Sequence, residues 1–172
     1  MQDSESGFSM RSARISPALA LERRMPRPKG CCATTGNVKP MRAVLDASAA
    51  ANIILRTKLA PTLIEKLKHS HLVIAPTLFH GEIANTLWKY VRLGDLDKET
   101  ALTRYAEAIG LVDIFEADEQ LAAEALSTAI RYNHAVYDML YLILARRHGC
   151  SILTVDKKLI ALARQLDKSL LP

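Results

Sequence analysis

The sequence predicts an α/β protein built on a mainly parallel sheet, and two observations carry that prediction. First, short apolar runs of strand length recur at Ala43–Leu45, Leu72–Ala75, Leu111–Phe115 and Ser151–Val155, separated by longer segments with helical punctuation. Runs of this kind suit strands covered by helices on both faces; a one-sided antiparallel sheet would alternate apolar and polar residues. Second, the first and last runs each lead into an aspartate, Asp46 and Asp156. Ligands of open parallel sheets bind beyond the carboxyl ends of the strands, so these two acids fall where chemistry is expected.

The elements follow in order. After the first strand a helix is expected from about Ser48. Pro61 suits the first turn of a second helix, which ends near His69. Beyond the second strand, Pro76-Thr77 opens a helix whose Leu78, Ile83, Leu87 and Val91 mark one apolar face, closed by Gly94. Asp97 is placed to cap a helix through Ala108, and Asp118 to cap one running to Arg131. A further helix spans about Val136 to His148 and stops at Gly149; the last follows Asp156. There is no internal repeat.

The 172 residues are enough for one domain with its own core. No apolar run approaches the roughly 18 residues of a membrane span, so no membrane association is expected. The three cysteines, Cys31, Cys32 and Cys150, form no disulfide framework, which favours a reducing, cytoplasmic setting. The net charge of +5 is uneven: residues 1–40 hold seven Lys/Arg against three Asp/Glu, and residues 41–172 hold sixteen against fifteen. Basicity therefore belongs mainly to the first segment and does not by itself mark the rest as a nucleic-acid binder.

That first segment, residues 1–40, is rich in Ser, Arg, Gly and Pro, with a breaker at Met25-Pro26-Arg27-Pro28-Lys29-Gly30. It is expected to be a disordered extension, with residues 41–172 forming the domain. A targeting peptide, a contacting tail and upstream sequence from a wrong start site all fit its composition. The last is preferred, because Met41 stands immediately before the first strand.

Two more acids lie in apolar helical segments, Glu82 and Asp138. Each of the four has an ordinary structural role available. Asp46 and Asp156 can cap the helices that follow them, Asp138 can complement a helix dipole, and Glu82 can be a solvated helix charge. As a set they read differently. Carboxylates gathered at one sheet edge repel, and persist there only with cations or protons between them. Oxygen donors alone select hard ions, so Mg2+ or Mn2+ is the expected occupant.

In this order, the chain resembles the PIN domain, specifically the VapC-type toxins. The resemblance rests on four motifs spanning residues 41–172: Val44-Leu45-Asp46-Ala47-Ser48; Glu82 and Asn85 after Pro76; Tyr137-Asp138-Met139-Leu140-Tyr141, like the family's Tyr-Asp-Ala-Leu-Tyr run; and Leu153-Thr154-Val155-Asp156. Met139 departs from the small residue usual there, which should alter packing only. The resemblance implies a three-layer α/β/α sandwich and a divalent-metal-dependent endoribonuclease, the toxin of a toxin–antitoxin pair. Asp46, Glu82, Asp138 and Asp156 would be catalytic and metal-binding. Ser48, Asn85 and Thr154 would orient carboxylates or substrate, and Lys157 and Lys158 are candidates for RNA contact. It also implies a small cognate antitoxin and a homodimer. Ile53, Ile54 and Leu55, and the helix carrying Trp88, are candidate contact faces, with core packing the preferred role for any one of these residues. The alternative is a PIN-like domain that binds RNA or a partner without cutting.

Other chemistries are set aside. His80-Gly81-Glu82 spells the His-x-Glu of zinc deaminases, but the required Pro-Cys-x-x-Cys is absent. The remaining histidines show no metal spacing, and no Gly-rich phosphate loop occurs. A phosphoaspartate phosphatase would want a second aspartate where Ser48 stands.

Overall fold

The computed structural model describes residues 41–172. The expectations for residues 1–40 lie outside the described residues. Four strands form one parallel sheet in the order β3-β2-β1-β4. They are β1 (Arg42–Leu45), β2 (Leu72–Pro76), β3 (Ile114–Glu116) and β4 (Ser151–Leu153). The helices are α1 (Ala47–Ile54) and α2 (Ala60–Lys68) between β1 and β2, then α3 (Leu78–Leu93) and α4 (Lys98–Ile109) before β3. α5 (Asp118–Tyr132) and α6 (Val136–His148) precede β4; α7 (Lys157–Leu166) and a short 3-10 turn, Lys168–Leu170, follow it. This is the three-layer α/β/α arrangement the sequence predicts.

Register aligns the strands so that their carboxyl ends share one edge. Val44 pairs with Ile74 on one side and Ile152 on the other, and Ile74 pairs with Ile114. From β1 the chain builds outward through β2 to β3, then crosses back to β4 on the other side of β1. The reversal leaves a crevice beyond the carboxyl ends of β1 and β4, where α/β sheets bind ligands.

Burial explains the layers. α1 packs against α2, α3 and α4; α6 lies on β1, β2 and β4 and is backed by α5. α6 is buried without interruption from Met139 to Ala145, as expected of a helix covered on every side. Ile53 and Ile54, for which core packing is preferred over a contact face, are core residues at 5% and 3% exposure, and Leu55 packs against that core. Their apolar run belongs to the inner side of α1. Trp88 is exposed, with Arg92 over its ring.

Three boundaries differ from the sequence reading, each for a visible reason. β3 begins at Ile114, not Leu111, because the Asp113 side chain takes the Val73 amide at 2.8 Å where a backbone carbonyl would have extended the ladder. β4 ends at Leu153, not Val155, because the backbone beyond it turns toward α1: Val155 N donates to Ser48 Oγ at 3.2 Å. Asp118 does not cap its own helix. Its Oδ1 accepts from Leu78 N at 3.0 Å, and its own amide donates to Thr77 Oγ1 at 3.2 Å, a reciprocal clasp between the starts of α3 and α5. Asp97 does cap α4, accepting from Thr100 N at 2.8 Å.

Candidate active site

β1 delivers Asp46 to the crevice and α1 starts immediately after it. Asp46 is the N-cap of α1, accepting from Ser48 N at 3.2 Å, so the cap reading and the site reading apply to one side chain. Its Oδ2 also accepts the Ser48 hydroxyl and, at 2.7 Å, the Thr154 hydroxyl. Thr154 lies just past β4, its Oγ1 also accepting from Asp156 N at 3.0 Å. The two hydroxyls sit 3.2 Å apart. Together they tie the end of β1 to the end of β4. Burial pushes the Asp46 carboxyl above its usual range, against the hydroxyl bonds that favour its charge, and the charge of Asp156 adds to the rise.

Asp156 is exposed and caps α7, its Oδ1 accepting from Lys158 N at 2.7 Å and Leu159 N at 3.3 Å. Glu82 comes from α3, and its Oε2 accepts the Tyr141 hydroxyl at 2.5 Å. Burial pushes Glu82 up to about 7; Tyr141 opposes this, while the charges of Asp46, Asp138 and Asp118 add to it. Asp138, on the first turn of α6, is raised by burial and by Asp156, and lowered by His134 and Lys158. Its Oδ2 lies 3.2 Å from His134 Nδ1, close in distance but not aligned as a hydrogen bond.

The four predicted acids therefore feel one another's charge at the carboxyl edge. Among the described residues, however, no three His, Cys, Asp or Glu side chains converge on one metal-sized point. Each acid is instead held by a local partner: hydroxyls for Asp46, Tyr141 for Glu82, His134 for Asp138 and helix amides for Asp156. Of the supporting residues, Ser48 and Thr154 lie on Asp46. Thr154 is thus more than a β-branched strand residue. Asn85 is exposed on α3 and makes none of these hydrogen bonds. Lys158 is near enough to act on Asp138, whereas Lys157 is exposed with no such link.

Three residues here were not singled out from sequence. Tyr141 is 1% exposed, and its hydroxyl is pushed well up by burial and by Glu82. The signal was available, since it stands one helical turn after Asp138 and shares its face. His134 precedes Asp138 by four residues across the α6 start, a spacing that also brings side chains together. Asp118 had no local sign, because its partner helix is 40 residues away in sequence.

A parallel sheet in this order, with acids beyond its carboxyl edge, defines a PIN-type nuclease scaffold. The chain belongs to the PIN-domain family and is of the VapC ribonuclease type. The PIN domain family model matches residues 43–165. The chain is 30% identical over 127 residues to Ribonuclease VapC3 of Pyrobaculum aerophilum, covering 69% of this chain and 92% of that one. It is also similar to the crystal structure of PAE2754 from Pyrobaculum aerophilum, at 25% identity and a TM-score of 0.58, over 75% of this chain and 88% of that chain.

Proposed function

We propose that this protein is a divalent-metal-dependent endoribonuclease and acts as the toxin of a toxin–antitoxin pair. The observation that carries the reading is the electrostatic coupling of Asp46, Glu82, Asp138 and Asp156 at the sheet's carboxyl edge. Three of them are pushed toward the protonated state by burial and by one another, which is the condition a bound cation relieves. An all-oxygen donor set fits a hard ion, Mg2+ or Mn2+. Asp46, Asp138 and Asp156 would be the main ligands, with Glu82 holding a second ion or a water. When bound, the ion lowers the pKa of a water and offsets charge on the phosphate.

The chain's own residues do the positioning. Ser48 and Thr154 fix Asp46 against rotation, and their bonds to the β4 exit hold Asp156 in register with it. Tyr141 holds Glu82, and His134 stands beside Asp138. Without an ion, burial and neighbouring charge push Glu82 up to about 7, and a bound cation would displace that proton. Lys157 and Lys158, exposed at the start of α7, are placed to meet RNA phosphate.

The relative's name, Ribonuclease VapC3, supports the activity, and the type supports a small antitoxin partner and a homodimer in the cytoplasm. No helix among the described residues is long and apolar enough to cross a membrane. The test is incubation of the purified protein with single-stranded and looped RNA, in Mg2+ and then in EDTA. Cleavage to 5′-phosphate products in Mg2+ alone is expected. RNA binding with no cutting in any divalent metal would favour a non-cutting binding domain.

A further inference from the structure

Two cavities adjoin along the free edge of β4. One, of about 290 Å3, begins at Thr154 and Val155 beside the acids and is walled by α2 and by Ile160 and Arg164 of α7. The other, of about 460 Å3, lies at the amino-terminal edge of the sheet, between Arg42, His69 and the turn before β4. They share Lys66, Leu153, Leu171 and Pro172, so they adjoin as one trough, with Thr154, which bonds Asp46, at one end. β4 ends the sheet on this side.

The charge of this trough is one-sided. Residues 41–172 hold almost equal numbers of acids and bases, yet among the described residues no Asp or Glu lines either cavity. Arg42, Lys66, His69, His148 and Arg164 do. His148 is bonded to Glu116 at 2.8 Å, but among the described residues Arg42, Lys66, His69 and Arg164 form no ion pair. The Nε of Arg42 is buried with no hydrogen-bond partner among the described residues.

We propose that this trough is a track for the RNA strand flanking the scissile bond, with Arg164, Lys66 and Arg42 in turn meeting successive backbone phosphates. This rests on the ribonuclease reading above. The link is Thr154, which both holds Asp46 and lines the trough. Apolar walls from Leu59, Leu63 and Ile160 suit bases without selecting among them.

The test is anisotropy of labelled single-stranded RNA of 3, 6 and 12 nucleotides on the full chain in EDTA, at several salt concentrations. The wild type should bind the 12-mer far more tightly than the 3-mer. The triple variant Arg42→Gln, Lys66→Gln, Arg164→Gln should lose most of that gain, with its log–log salt slope falling by about 2, at about 0.7 per phosphate contact. Lys66→Gln should weaken binding, while Lys68→Gln, on the same helix but outside the trough, should not. Equal 12-mer affinity for wild type and triple variant, or no gain with length, would overturn the track. So would loss of the variant's effect on RNA while inorganic phosphate still protects the trough, which would mark a free-phosphate site. If the length and charge dependence hold but no metal supports cutting, the track stands and the ribonuclease reading falls.

Discussion

The strand-end acids and the helix acids are held in different ways. Asp46 and Asp156 sit at the exits of β1 and β4, each gripped by helix amides, and they are linked through Ser48 and Thr154. Their placement is a by-product of the sheet and of capping. Glu82 and Asp138 project from α3 and α6, and each has one side-chain neighbour, Tyr141 or His134. The strand-end pair, held by caps at the strand exits, is the fixed rim; the helix pair, with one side-chain partner each, is the rim adjustable by a single substitution.

The largest expected effect is at the fixed rim. Asp46→Asn keeps the size of the side chain and removes a buried charge, and RNA cleavage should fall by about 100-fold or more. Melting temperature without metal should hold or rise, because burial already disfavours the ionised form. Asp138→Asn should lose activity similarly. A variant that lost activity only by unfolding, seen by circular dichroism, would break the comparison.

Tyr141→Phe probes the adjustable rim. It removes the one hydrogen bond that favours the charged form of Glu82, so the Glu82 carboxyl should rise beyond about 7. Cleavage near neutrality should drop by roughly tenfold, with the acid limb of the pH–rate profile moved upward. An unshifted limb would mean that Tyr141 serves packing alone. Ser48→Ala should also be mild, since it removes a supporting hydroxyl while the Thr154 bond to Asp46 remains.

How these rims were read from sequence differs too. The strand ends were legible because a short apolar run followed by Asp fixes both the element and the edge. Asp46 and Asp156 were read for that reason, and Glu82 and Asp138 from the order of motifs. What was missed needs tertiary pairing. Asn85 follows Glu82 at a helical spacing, yet α3 presents it to solvent. Asp113 and Asp118 looked like a strand residue and a cap, but each serves a backbone amide 40 residues away. Ile53 and Ile54 read as core before contact face, and the packing of α2, α3 and α4 against α1 makes them core.

The Asp118 clasp gives a smaller effect on the fold. Asp118→Ala leaves Leu78 N without its acceptor and should cost about 1 kcal/mol by urea denaturation, with cleavage largely kept. A separate readout is the pH dependence of metal-free stability. Glu82 is pushed from an ordinary 4.5 up to about 7, so the folded form holds a proton that the unfolded chain releases. Its contribution is fully present below pH 4.5 and is lost as pH rises through about 7. Glu82→Gln should flatten that part of the thermal-melting profile, and a slope identical to wild type would remove Glu82 as its source.

The most direct measurement is a calorimetric titration of Mn2+ into wild-type and Asp46→Asn protein, with RNA cleavage followed over the same metal range. The wild type should bind Mn2+, its cleavage should rise as the metal saturates, and EDTA should abolish both. Asp46→Asn should need markedly more metal for binding and should remain nearly inactive. Wild-type cleavage that persists in EDTA, or an Asp46→Asn protein that binds and cuts like wild type, would contradict the assignment of these acids as the metal site of a ribonuclease.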